Sequence, residues 1–142
     1  MATPQRAIFN GMGQNQWYVH LSRTEGADLG AIKSALAALR ATCASEDINL
    51  TLGFGPGLLP ELTDDVPEDF QGYVTIESDD GSGRQAKGTQ EELLLWLNHD
   101  DKDKIWKAQY DARTALEGHM AVARETPTFI YGDSLDMTGF KD

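Results

Sequence analysis

The residues that could carry chemistry in this sequence are few and scattered. Three histidines occur, His20, His99 and His119. No two stand three or four apart, and none has a cysteine at ligand spacing, so no metal site is expected within this chain. They read as surface or strand-end histidines. The single cysteine, Cys43, falls at an apolar helix position and reads as a buried, inert thiol. One cysteine also excludes an intramolecular disulfide. Neither a Gly-x-Ser-x-Gly elbow nor a Cys–His signature is present. Gly53-Phe-Gly-Pro-Gly57 superficially suggests a phosphate loop. It lacks the Walker lysine and the dinucleotide spacing, and Pro56 removes an amide donor, so a strand-ending turn is expected. Asp64, Asp65, Asp79, Asp80, Asp100 and Asp101 read as solvated loop or cap charges. The tail Gly132-Asp-Ser-Leu-Asp-Met-Thr-Gly-Phe-Lys-Asp142 holds the most specific pattern.

The elements that must position these residues follow from periodicity. Trp17, Val19 and Leu21 alternate with Tyr18, His20 and Ser22, which predicts a half-buried strand over Gln16–Ser22. Asp28 is a plausible cap for a helix whose stripe is Leu29, Ile32, Leu36, Leu39 and Cys43. Ile48–Phe54 reads as a second strand with Leu50, Leu52 and Phe54 on one face. The polar stretch from Pro60 to Thr89 holds one apolar patch, Tyr73–Ile76, which could form a short strand. Glu92–His99 is a strand buried on both faces or part of a buried helix, and the turn-like flanks favour the strand. A helix is predicted over Asp103–Ala121, with Ile105, Ala108, Ala112, Leu116 and Met120 inward, then a strand over Thr126–Gly132.

The order strand, helix, strand, strand, helix, strand is the ferredoxin-like βαββαβ arrangement of an α+β fold. It predicts a four-stranded antiparallel sheet with both helices on one face. The other face is expected to be apolar and to meet a second copy, a second domain or a ligand. The 142 residues suit one domain, and 40% hydrophobic residues can fill a core without staples. A net charge of −11, from 23 acids against 12 bases, opposes nucleic-acid binding and docking on anionic membranes. No secretory leader and no spanning apolar run is recognisable, so a cytoplasmic location is expected.

Gly139-Phe-Lys-Asp142 matches the first four positions of the Gly-x-x-Asp-Gly motif of dye-decolourising haem peroxidases. Further stretches resemble that family in the same order. Pro4-Gln-Arg-Ala-Ile-Phe9 with Trp17-Tyr-Val-His-Leu21 resembles its opening strand, and Gly53-Phe-Gly-Pro56 with Leu58 and Leu59 the end of its second strand. Gly88-Thr-Gln-Glu-Glu-Leu-Leu-Leu-Trp-Leu97, with Asp100 and Asp101, resembles the approach to its second helix. The resemblance covers nearly all of residues 1–142 but only the N-terminal half of a family member.

The resemblance implies a haem b enzyme made of two ferredoxin-like halves. It would use hydrogen peroxide to oxidise dyes, phenolics or another small-molecule electron donor. Asp142 would be the distal acid–base residue, moving a proton between the two peroxide oxygens. Gly139, Phe140, Lys141 and Asp142 would meet the haem face. The motif's closing glycine, the proximal histidine and the distal arginine are absent from this sequence, and none of His20, His99 or His119 matches the proximal ligand. The missing C-terminal half is therefore expected as a companion chain, beginning with that glycine if the polypeptide is broken at the Asp-Gly junction. A self-associated copy is the fallback, so an oligomer is expected either way. The 142 residues alone are expected to be inactive and to bind haem weakly at most. The alternative is a stand-alone, catalytically inactive ferredoxin-like module that binds or dimerises.

Overall fold

The computed structural model describes residues 4–135 and 138–141. A 3-10 turn at Arg6–Ile8 precedes strand β1 (Asn15–Arg23), helix α1 (Leu29–Ser45) and strand β2 (Asn49–Phe54). A short helix α2 (Leu59–Leu62) and the strands β3 (Ile76–Glu77) and β4 (Gln85–Ala86) follow. Strand β5 (Leu93–His99), helix α3 (Lys102–Ala115) and strand β6 (Met120–Phe129) complete the chain. The main sheet has the order β2-β5-β1-β6, and every neighbouring pair is antiparallel. This is the ferredoxin-like α+β fold that the element order predicts.

Both helices begin where the sequence supplies a cap. Asp28 accepts from the amides of Gly30 and Ala31, and Asp101 from that of Asp103, which satisfies donors the first turn leaves unpaired. Ile32, Leu36, Leu39 and Cys43 of α1 and Ile105, Ala108 and Ala112 of α3 turn onto one sheet face. They meet Trp17, Val19 and Leu21 of β1 and Leu93, Leu95 and Leu97 of β5, all buried. Leu29, also predicted inward, is half-buried at the start of α1 and packs on the edge of this core.

Helix α3 ends earlier than its apolar stripe suggests. It stops at Ala115, not Ala121. Gly118 takes φ +82°, a left-handed conformation that ends helices and that L side chains resist. The amides of His119 and Met120 then both bond to Leu116 O, and the chain reverses. Met120 reaches the core from the start of β6, so helix and strand continue one stripe. The final strand accordingly spans Met120–Phe129 rather than Thr126–Gly132. Its register shifts between His20 and Leu21 of β1, which skips Ala123. Pro127, which has no amide to give a further neighbour, lies on this edge strand. The patch Tyr73–Ile76 contributes only the first residue of β3, which pairs with β4 in a separate hairpin.

Candidate functional site

The tail is built from the end of β6. Ile130 donates to Gln14 O at 2.8 Å, which ties the exit of β6 to the entry of β1. Tyr131 and Leu135 then bridge, with Leu135 N donating to Tyr131 O at 2.9 Å, and Leu135 bridges in turn to Lys141. The chain therefore doubles back on itself, and Gly139, Phe140 and Lys141 come together as one exposed segment. Gly139 has φ +89°, and among the described residues beyond its two chain neighbours no atom lies within 4 Å of where a Cβ would stand. Only a glycine takes that backbone without strain, and it leaves the backbone open to close approach. Phe140 is 75% exposed. Asp142, the predicted acid–base residue, lies outside the described residues.

The same end of the sheet carries a polar network that periodicity alone does not reveal. Gln14 N donates to Asp100 Oδ1, and Asn15 Nδ2 to Asp100 O. Asn98 Oδ1 accepts from Gly13 N and from Asn49 Nδ2. These bonds fold the segment before β1 across the ends of β5 and β2. Asp100 is thus a structural acceptor rather than a merely solvated charge. Their only sequence signal is the gathering of Asn, Gln and Asp at strand ends.

The three histidines stay apart. His99 Nδ1 accepts from Asp101 N at 2.8 Å, and His119 Nδ1 from Asp28 N at 3.2 Å, so both hold helix entries in place. His20 lies on the sheet face away from the helices, with Arg124 Nη2 3.3 Å from its Nε2. Burial lowers its pKa, Arg124 lowers it further, and Glu91 partly offsets both. No cluster of metal-ligating side chains occurs among the described residues. Cys43 is buried, and burial pushes its thiol up to about 12, as expected of an inert position. Gly53 and Phe54 end β2, and Gly55-Pro-Gly57 forms the turn toward α2, with Gly55 N donating to Glu92 O.

The sheet face away from the helices is not the uniformly apolar surface that the pattern suggests. Its centre is a stack of Tyr18 on Trp96, with ring centroids 5.4 Å apart. Leu94 is half-buried beside Gly53. Gln16 ties the centre together, its Oε1 accepting from Tyr18 OH at 2.8 Å and Trp96 Nε1 at 3.3 Å. His20, Arg124, Thr126 and Thr128 border it, because the outward positions of β1 and β6 carry polar side chains. An aromatic centre with a polar border has the composition of an interface.

Solved structures supply the comparison that this geometry calls for. A dye-decolorizing peroxidase from Bacteroides thetaiotaomicron VPI-5482 matches 94% of this chain with 45% of its own, at 19% identity and a TM-score of 0.76. A dye-decolorizing protein from V. cholerae matches 98% with 48% of its own, at 20% identity and a TM-score of 0.84. DyPB from Rhodococcus jostii RHA1 matches 99% with 47% of its own, at 19% identity and a TM-score of 0.78. The fold is shared with dye-decolorizing peroxidases. This chain spans about half the length of those proteins. Variants of the Rhodococcus protein have been solved in complex with heme. No family model matches the chain, and no curated protein does.

Gly139 offers open backbone and Phe140 an exposed ring, which suit the face of a flat apolar macrocycle. The three histidines have other partners: two serve helix entries and the third faces Arg124. Among the described residues, no helix is long and apolar enough to cross a membrane.

Proposed function

We propose that this chain is the N-terminal half of a cytoplasmic dye-decolourising-type haem peroxidase, which uses hydrogen peroxide to oxidise dyes or phenolic donors. The observation that carries the reading is the coverage. Nearly the whole chain matches less than half of each dye-decolorizing structure, and the motif-bearing tail leaves the sheet as an exposed segment. Haem b, when bound, would supply the redox-active iron, ligated by a histidine from the other half. This chain's part is positional and protonic. Gly139 and Phe140 would pack on the macrocycle. Asp142 would accept the proton of one peroxide oxygen and deliver it to the other.

The test is haem titration of this chain alone and joined to the region expected to follow it. Alone, the chain should bind haem weakly and without fixed stoichiometry. Joined, it should take one haem, show a histidine-ligated Soret band and oxidise an anthraquinone dye with peroxide. A joined protein that binds no haem would refute the reading. The second reading, a stand-alone binding or dimerisation module, is favoured by the polar border of the open sheet face. A monomer of this chain that gains nothing from the following region would select it.

A further inference from the structure

A groove of about 860 Å³ runs between α1, the edge strand β2 and the segment around Arg6–Ile8, on the far side of the sheet from β6. Leu36, Leu50, Phe54 and Leu62 line its apolar part. Three cations line it too: Arg6 on the N-terminal wall, Lys33 and Arg40 on the helical wall. Asp47 is the one acid among its lining residues. The chain carries a net charge of −11, and among the described residues Arg23, Arg84, Lys104, Lys107 and Arg113 stand in ion pairs. Among the described residues, none of these three does. Unpaired positive charge thus gathers at an apolar groove in an otherwise acidic protein.

We propose that this groove binds a small amphiphilic anion: an apolar tail or ring against Leu36, Leu50 and Phe54, with its carboxylate or sulfonate on Lys33, Arg40 and Arg6. Size and chemistry both fit. The volume lies in the range of small-molecule pockets, and such pockets pair an apolar lining with a few placed charges. From Lys33 to Ala44 the helical wall is ~16 Å long at the ordinary helical rise, enough for a medium alkyl chain. A peptide strand is a poorer occupant. Gln5 already fills the hydrogen-bonding edge of β2, its side-chain amide donating to Leu52 O and accepting from Leu52 N, both at 2.7 Å. A second copy would set one chain of net charge −11 against another, a mutual repulsion that a small anion avoids.

Titrating decanoate into the isotopically labelled full chain and following amide resonances tests this. Saturable shifts are expected at Lys33, Ala37, Arg40, Leu50 and Leu52. Decanol and decyltrimethylammonium should bind about tenfold more weakly or worse, because a charge-assisted contact is worth that much. High salt should weaken decanoate alone. The double variant K33Q/R40Q, at exposed positions, should lose about tenfold in affinity with an unchanged circular dichroism spectrum. Equal affinity for the three head groups, unchanged affinity in the variant, or shifts confined to the open sheet face would each overturn the proposal. So would the same shifts on raising protein concentration alone, which would assign the groove to a second copy.

Discussion

His20 stands on the open sheet face with a guanidinium beside it, and burial followed by Arg124 lowers its pKa from the ordinary 6.5. The folded protein therefore holds the ring neutral at a pH where the unfolded chain would protonate it. The resulting stability is complete above about 6.5 and falls as the pH drops through that value toward the folded pKa. His20→Gln should flatten the decline in urea midpoint between about pH 7 and 5, the window in which histidine titrates. Arg124→Gln should raise the His20 pKa, read from its ring proton by NMR titration. If Arg124→Gln leaves that pKa unmoved, the guanidinium is not a cause. Asp142 is the other residue with a sharp consequence. In the haem-loaded joined protein, Asp142→Asn should cut peroxide turnover about a hundredfold or more, the usual weight of acid–base catalysis, while the Soret band remains. Full turnover in that variant would remove Asp142 from the proposed chemistry. That residue was legible only through its motif, since no spacing in the sequence links Asp142 to another titratable group. The contacts of His20, by contrast, needed the register that pairs it with Arg124.

At the scale of elements, the periodicities carry most of the fold. The alternation in β1 and the stripes of α1 and α3 are visible in sequence because each buries one face against the same core. What periodicity does not show is where one element hands that core to the next. Leu116 and Met120 extend the helical spacing past the real end of α3, and only the φ of Gly118 separates them. Gly118→Ala should therefore cost roughly 1 kcal/mol, the penalty of an L side chain in a left-handed conformation. It should lower the urea midpoint at unchanged slope. Leu95→Ala, at the fully buried centre of β5, should cost about 2–5 kcal/mol by leaving a cavity under both helices. A smaller loss at Leu95 than at Gly118 would mean that the core collapses around the gap. The polar strand-end network and the β3–β4 hairpin were hidden for other reasons. The network depends on side-chain partners far apart in the chain, as in the bond from Gln14 N to Asp100, whereas the hairpin pairs only two residues of each strand, too few to show an alternation.

For the whole molecule, the question is what meets the open side of the sheet. The helices close one face completely, whereas the other presents the Tyr18–Trp96 stack inside a polar border. The dye-decolorizing structures are about twice as long as this chain, which leaves room for a second layer of similar size. A partner docked there would cover the aromatic pair and meet the bordering threonines and Arg124 with polar groups. Trp106 gives an internal control. It stacks on Tyr110 along the outer side of α3, 46% exposed and on the opposite side of the molecule from Trp96. Calorimetry of this chain with the following half should show an association that Trp96→Arg weakens about tenfold or more, since a charge at the centre of an interface is costly. Trp106→Arg should leave the affinity unchanged, with circular dichroism confirming the fold of both variants. The reverse result would place the partner on the helical layer. An unchanged affinity in both variants would show that neither face docks, and the tail alone would then have to join the halves. Sedimentation of the isolated chain completes the comparison: self-association abolished by Trp96→Arg would mean that a second copy occupies the same surface when the other half is absent.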